Sequence, residues 1–298
     1  MMKRVLVYPN AMKDVDYKYT GQVVRLLNSK GVEVFLPEEK MTDLFHWKET
    51  TDKETDWTEG LKIVEKERLR ELDLAIVLGG DGTMILCVYY LLGSEVPLLG
   101  VNLGRLGYMT EVELSDLEPK ISLALEGQFT VEHRLMLEAR FNEGTGEGEG
   151  PFYAVNDFLI HRDLADGILK SKAYINDEYM AEFLSDGVII ASPCGSTAYN
   201  FSAGGPILSP MADNIILTPL SSHAMLDRSV VVRGGDVLSF YLSSFSKSDH
   251  AVFQADGTRN RRIPENTWIH IRRSRYSFPL ARVGNTGFYE IVQKKLLP

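Results

Sequence analysis

The stretch from Leu74 to Val101 constrains the fold more than any other part of this 298-residue chain. Leu74 to Leu78 (LAIVL) is continuously apolar, as a strand covered on both faces by helices must be. It runs straight into Gly79-Gly80-Asp81-Gly82-Thr83 and then into Met84 to Leu92, an apolar segment of helical character. Val96 to Val101 is another candidate for a buried strand. Strand, loop, helix and strand at this spacing define a βαβ unit, and with it a parallel sheet. The pattern starts earlier. Arg4 to Tyr8 reads as a strand, and Thr20 to Ser29 carries Val23, Val24, Leu26 and Leu27 at helical spacing. Gly31 closes that helix and Val32 to Leu36 forms the next strand. Glu38 to Gly60, with eight acids against three lysines, has no clear period and reads as a solvated loop or helix, with a mobile lid as the alternative.

Beyond about residue 125 the character changes to β. Asn142 to Gly150 (NEGTGEGEG) is a Gly/Glu-rich turn between strands. Strand-like runs follow at Phe152–His161, Ala173–Ile175, Gly187–Ala191, Ser229–Arg233, Asp236–Leu242 and Thr267–Arg273. Gly234-Gly235 reads as a tight hairpin turn between two of them. Apolar residues at every second position, Leu238, Phe240, Leu242 and again Thr267, Ile269, Ile271, mark half-buried antiparallel sheet.

Composition excludes several classes. With 32 basic and 41 acidic residues the net charge is −9 and the pI about 5.3, the wrong sign for a general binder of nucleic-acid backbones. No apolar run approaches the ~20 residues of a membrane span. The start, MMKRVLVYPN, lacks the apolar region of a secretory signal, because Pro9 and Asn10 end its hydrophobic stretch. Only two cysteines occur, Cys87 and Cys194, in no metal-binding or disulfide spacing. The expectation is a cytoplasmic protein without membrane or nucleic-acid partners.

Four segments carry chemistry. A glycine-rich turn between a buried strand and a helix lets backbone N–H groups approach phosphate oxygens, so Gly79 to Thr83 is a candidate phosphate loop. No Gly-Lys-Ser/Thr follows, so it is not a Walker A loop, nor is it a GxGxxG fingerprint. Asp81 is the unusual member. A carboxylate there either holds a divalent cation or accepts a proton from an attacking hydroxyl, and an Asp-Gly pair also suits a plain helix cap. Ser185 to Pro210 (SDGVIIASPCGSTAYNFSAGGPILSP) concentrates hydroxyls and glycines after an apolar strand, which is costly to bury without a polar ligand. Asn156-Asp157 offers donor, acceptor and carboxylate suited to a ribose diol, unless it is a strand-end turn. Phe253 to Thr258 (FQADGT) reads as a structural Asp-Gly turn. Cys194, alone in its loop, reads as a small residue rather than a redox sensor.

Taken together, GGDGT, the Asn-Asp pair, NLGRLGYMTEV at Asn102 to Val112 and the long GSTAY…SAGGP stretch resemble the NAD kinase family, in order over about residues 70–260. GGDGT alone is shared with diacylglycerol and sphingosine kinases, whereas the long stretch is specific. The resemblance implies an N-terminal Rossmann-like α/β domain with a parallel sheet (1–120, with a tail of about 280–298 returning to it) and a C-terminal mostly-β domain that binds NAD (121–279). It implies transfer of the terminal phosphoryl group of ATP, or of polyphosphate in some members, to the adenosine ribose 2′-hydroxyl of NAD. A divalent metal (Mg²⁺ or Mn²⁺) and a homo-oligomer, dimer or tetramer, come with it. Carried over by position, Asp81 is the candidate proton acceptor, with Gly79, Gly80, Gly82 and Thr83 on the nucleotide. Asn156 and Asp157 contact adenine and ribose. Asp186, Cys194, Thr197, Ala198, Tyr199, Asn200, Phe201, Ser202 and Thr258 line the NAD pocket.

Three positions depart from the family pattern: Cys194 replaces Thr, Leu184 replaces a basic residue, and Thr258 replaces Gln. Two rival readings remain. A lipid or sphingoid-base kinase would share the loop, but the second motif is polar and no basic amphipathic helix is apparent. A non-catalytic NAD(P) sensor would have no use for a carboxylate facing phosphates.

Overall fold

The computed structural model describes residues 2–51, 56–143, 148–163, 168–222, 227–244, 250–284 and 286–296. The lid alternative for Glu38–Gly60 and the Gly/Glu-rich turn fall partly outside them, at residues 52–55 and 144–147. The chain forms two compact units, Met1–His133 with Phe278–Pro298, and Arg134–Ser277.

The first unit is α/β. Its elements are β1 (Arg4–Pro9), α1 (Lys18–Ser29), β2 (Glu33–Leu36), α2 (Glu38–Glu49), β3 (Lys62–Ile63), β4 (Leu74–Gly79), α3 (Asp81–Tyr90), β5 (Leu98–Asn102) and α4 (Leu117–Leu125). The strands lie in the order β3-β2-β1-β4-β5, all parallel. β1, β4 and β5 are buried along their length apart from Arg4, so Leu6, Ile76 and Leu99 each contribute about 1.5–3 kcal/mol of apolar burial. The buried Asp14 carboxylate caps the start of α1, accepting the N–H groups of Tyr19 (2.9 Å) and Thr20 (2.8 Å) and the Thr20 hydroxyl (2.6 Å). Gly31, at φ +70°, ends α1 and lets Val32 N–H close back on Leu27 C=O at 3.1 Å. The acidic stretch after β2 is a helix, α2, pinned by buried Met41 and Leu44. A boundary at 120 would cut α4, whose buried Ile121, Ala124 and Leu125 belong to the first unit's core.

The second unit is antiparallel. It contains β6 (Thr130–Phe141), β7 (Glu149–Ala154), β8 (Asp157–Arg162), β9 (Leu169–Ile175), β10 (Glu178–Ser185), β11 (Gly187–Ala191), the one-turn α5 (Tyr199–Ser202), β12 (Asn214–Leu220), β13 (Val230–Arg233), β14 (Leu238–Ser244), β15 (His250–Ala255), β16 (Arg259–Pro264) and β17 (Trp268–Arg282). One sheet runs β10-β9-β14-β17 with β6 and β7 alongside; the other runs β13-β12-β11-β8-β15-β16. Phe158 and Phe253 from one sheet and Phe183 and Phe240 from the other lie in one buried cluster. The alternation read from the sequence is observed here, with Leu238 opposite Ile271 and Phe240 opposite Ile269.

Two expectations are corrected. Phe152–His161 is not one strand: the chain breaks at Val155-Asn156, β7 pairing with β6 and β8 with β11 and β15. Gly234-Gly235 does not make a hairpin. Asp236 N–H does turn back on Arg233 C=O at 3.0 Å, but β13 pairs with β12 while β14 pairs with β9 and β17. The turn is a corner between two sheets. Gly234 fits it because a Cβ would lie 2.1 Å from Asp213 Oδ1. At Phe278 the chain returns to the first unit, where Leu280 pairs with Leu98 and α6 (Phe288–Leu296) follows.

Candidate functional site

In the order β3-β2-β1-β4-β5 the direction of winding reverses between β1 and β4. The crevice outside the carboxyl ends of those two strands is where open α/β sheets bind ligands. Residues from both strand ends meet there. Asn10 Nδ2 donates to Thr83 Oγ1 at 2.8 Å, and the Lys13 ammonium lies 2.8 Å from where a Gly80 Cβ would stand. Any side chain at 80 would displace that cation. Gly79 is required for a different reason, since its Cβ would strike Thr83 Oγ1 at 2.2 Å. Thr83 is buried and braces the loop, while Gly82 is exposed with open space above it.

Asp81 opens α3, and the segment after β5 holds its carboxylate. Tyr108 N–H donates to Oδ2 at 2.9 Å and Met109 N–H to Oδ1 at 3.0 Å. Each oxygen keeps a further lone pair for a ligand. Gly107 allows this close approach, because a Cβ there would lie 2.3 Å from Asp81 Oδ1. Leu103 N–H bonds Gly79 C=O at 2.8 Å, tying the same segment to the glycine loop. The NLGRLGYMT sequence is therefore a holder for Asp81.

In the second unit the break between β7 and β8 presents Asn156 and Asp157. Asn156 Oδ1 is buried without a hydrogen-bond partner, a vacancy of the kind a ligand donor fills. The Asp157 carboxyl is 6% exposed, and its pKa is pushed up to about 7, first by burial and then by the Asp256 charge. Asp256 accepts the N–H groups of Val155 (2.9 Å), Asn156 (2.7 Å) and Asp157 (3.1 Å). Ser192 approaches from the other side, its hydroxyl donating to Val155 C=O (2.6 Å) and its N–H to Asn156 C=O (2.8 Å). Gly195 packs so closely that a Cβ would stand 2.0 Å from Asn156 O. The polar stretch and the Asn-Asp pair, far apart in sequence, thus meet.

Other candidate residues divide into two sets. Cys194, Thr197 and Ala198 are half-buried next to Gly195, and Tyr199, Phe201 and Ser202 are exposed on α5. Asn200 is buried with its amide fully engaged: Nδ2 donates to Ser196 and Pro206 carbonyls (both 3.0 Å) and Oδ1 accepts from Thr218 Oγ1 (2.7 Å). It shapes the loop from within. Thr258 is exposed beyond the hairpin turn. Asp186 is not at this corner. It precedes β11, whose far end, Ala191, pairs with Asp157; at about 3.4 Å per residue the separation is roughly 17 Å. There Arg162 Nε donates to Asp186 Oδ1 at 2.7 Å. Asp256 was missed as more than a turn because its partners lie about a hundred residues away, and only the Asp-Gly pair itself was visible.

A glycine loop with a fixed carboxylate thus stands at the switch point of the parallel sheet, and the β-rich unit displays a buried amide oxygen without a partner. Comparison with known proteins is specific. Residues 5–129 match the model for the ATP-NAD kinase N-terminal domain and residues 155–283 that for the C-terminal domain. The chain is 35% identical over 295 residues to an NAD kinase of Caldanaerobacter subterraneus subsp. tengcongensis, covering 99% of each. It is 37% identical over 231 residues to one of Heliobacterium modesticaldum, covering 78% of this chain and 81% of that one. Its fold is shared with yeast NADH kinase, solved with NADH (TM-score 0.86, 19% identity, 99% of this chain and 87% of that one). It is shared also with an NAD kinase from Archaeoglobus fulgidus, solved with ATP (TM-score 0.69, 21% identity, 94% and 93%). The chain belongs to the NAD kinase family and is an enzyme, a kinase.

Proposed function

We propose that this enzyme transfers the terminal phosphoryl group of ATP to the adenosine ribose 2′-hydroxyl of NAD, giving NADP and ADP. The observation that carries the reading is the Asp81 carboxylate, oriented by two backbone N–H groups at the head of α3 with Lys13 close by. The glycine loop and Lys13 receive the donor phosphates. The 2′-oxygen bonds to the γ-phosphorus as its proton passes to an Asp81 oxygen, and the bond from the γ-phosphorus to the bridging oxygen breaks to release ADP. Positioning and charge neutralisation supply most of the catalysis in such a transfer. Asn156 and Asp157 take the adenosine half of NAD, with Thr197 to Ser202 along the edge of that pocket.

Among the described residues no group of three or more His, Cys, Asp or Glu side chains stands ready for a metal ion. A hard divalent ion, Mg²⁺ or Mn²⁺, would be held mainly by the substrate phosphates, and the Asp81 oxygen that does not take the hydroxyl proton is the protein atom that would complete its shell. When bound, such an ion neutralises charge on the phosphate oxygens. Asp186, about 17 Å from the corner within one copy, would meet a different part of the dinucleotide from Asp157 or belong to the pocket of a second copy in a homo-oligomer. Neither Cys87 nor Cys194 is in a disulfide, and no helix among the described residues is long and apolar enough to cross a membrane; a cytosolic enzyme acting on small molecules fits these facts.

The test is NADP formation from NAD and ATP with Mg²⁺, read with an NADP-specific dehydrogenase. Turnover is expected, and polyphosphate in place of ATP defines the donor. NAD binding without turnover under any donor or metal would make the chain a sensor.

A further inference from the structure

The corner at Val155–Asp157 has an unusually complete backbone account. Its three N–H groups all go to the Asp256 carboxylate, Oδ2 taking Val155 and Oδ1 taking Asn156 and Asp157. Ser192 takes the carbonyls of Val155 and Asn156, and Asp256 N–H returns to Asp157 C=O at 3.0 Å. Two residues therefore satisfy all six backbone polar groups, and the Asn156 amide oxygen is left without a partner. Leaving such a group buried and unpaired is costly, and a ligand donor relieves that cost.

The turn that carries Asp256 does not by itself need a carboxylate. Asp256 (φ +48°) and Gly257 (φ +70°) are the central residues of a turn closed by Thr258 N–H on Ala255 C=O at 3.2 Å, in the three-residue loop that joins Ala255 of β15 to its partner Arg259 of β16. Asn-Gly and Gly-Gly suit such a turn equally well. What they lack is the ability to accept three N–H groups at once. An Asn side chain offers one oxygen, and its NH₂ would face a donor.

We infer that Asp256 is a positioning residue for NAD: by clamping the backbone of residues 155–157 it aims the Asn156 amide and the Asp157 carboxyl at the adenosine half of the dinucleotide. This role rests on the NAD kinase reading above and deepens it. Asp256 touches no reacting atom and acts through its neighbours.

Asp256→Asn in the full chain separates turn from clamp. NAD titration by calorimetry should show affinity weakened roughly 10–100-fold, the range for groups that orient a ligand-binding side chain from behind. In steady state KM for NAD should rise in parallel while KM for ATP and kcat stay near those of the parent; Tm falls in either case, because the N–H groups of residues 155–157 lose an acceptor. If Asp256→Asn does not fold, Asp256→Gly keeps the turn as Gly-Gly and is expected to show the same split. Unchanged NAD affinity in a folded variant overturns the positioning role and leaves the kinase reading intact. Equal losses for NAD and ATP would also overturn it, as a merely structural effect. A parent that binds no NAD overturns the kinase reading itself, and the inference with it.

Discussion

Asp81 in the first unit accepts the N–H groups of Tyr108 and Met109; Asp256 in the second accepts those of Val155, Asn156 and Asp157. Both carboxylates gather successive backbone donors across a long gap in sequence, yet the direction of service is opposite. In the first unit the loop works for the carboxylate: residues 107–109 bend around Asp81 and leave its remaining lone pairs facing the switch-point crevice. In the second the carboxylate works for the loop, which carries the side chains proposed to meet the adenosine half of NAD. One chemical device thus fixes the proposed reacting group in one place and the proposed recognition surface in the other. The two arrangements should fail differently when disturbed.

The largest expected difference comes from removing the charge of each. Asp81→Asn should lower kcat by about 10²–10⁴-fold with NAD affinity retained, because a general base contributes that much and the amide NH₂, which meets one of the two N–H donors, disturbs residues 108–109 rather than the residues proposed to hold NAD. NADP formation and NAD calorimetry on the same preparation check it. A kcat within about threefold of the parent would keep the enzyme and remove Asp81 as the base. Next come the two glycines that let the backbones approach. At Gly107 a Cβ meets the Asp81 side chain at 2.3 Å; at Gly195 it meets the Asn156 carbonyl at 2.0 Å. Gly107→Ala meets two side chains, the Asp81 carboxylate and the Thr110 hydroxyl at 2.5 Å, both of which must turn aside, so kcat should drop on the order of 10²-fold with a smaller loss of stability than at Gly195. Gly195→Ala has only backbone to push against, and its first effect should be a stability loss of about 1–3 kcal/mol. Denaturant melts set beside turnover would show the contrast, or its absence.

Much of this was legible in the sequence where the physics is local. Leu74–Leu78 reads as a doubly covered strand because nothing polar interrupts it, and Gly31 as a helix end because φ +70° suits it. The phosphate-loop residues and the Asn-Asp pair stand out by chemistry alone. What escaped depends on pairing between distant segments. Gly234-Gly235 has hairpin composition, but turn composition does not say which strand each arm will join. Val155 is as apolar as its neighbours, so the strand break there is invisible until Asp256 is seen to gather its N–H. Asp186 lies beside the pocket residues in sequence and a strand's length away in space, because Gly187–Ala191 is extended. A backbone hydrogen bond leaves no trace in the identity of the residue that donates it. Holders such as 107–109, and clamps such as Asp256, are therefore the part of a site least readable from composition.

A smaller effect separates the units by pH. The Asp157 pKa of about 7 lies above the ~3.9 of an unfolded aspartate, so between those values the folded chain binds more protons than the unfolded one. Stability should fall as pH rises from about 4 to about 7, by about 3 kcal/mol from this group, and that part of the slope should vanish in Asp157→Asn. Urea melts across that range test the sign. NAD should act in the opposite direction, since ribose hydroxyls donate to the ionised form; KM for NAD is expected to fall as pH rises through about 7. A KM for NAD that is flat in pH would mean that Asp157 does not meet the ribose, and the recognition half of the comparison would lose a member.

The smallest effect asks how deep the support of Asp81 runs. Tyr108, whose N–H holds Asp81, has its ring beneath the Lys295 ammonium at 4.0 Å and beside Phe288 of α6, with 6.1 Å between ring centroids. If the holder is fixed by its backbone alone, the ring's neighbours matter only for stability. Lys295→Ala should then cost about 0.5–1 kcal/mol, the worth of one partly exposed cation–π contact, and leave kcat within about twofold. The Tyr108 N–H goes to Asp81 whatever lies over the ring, and Gly107 and Thr110 on either side keep the bend. A tenfold or greater fall in kcat at unchanged Tm would show that α6 transmits to the carboxylate through the Tyr108 side chain. Asp81 would then depend on side-chain packing as well as on captured backbone, and the parallel with Asp256, whose corner is held by backbone bonds from two residues, would no longer hold.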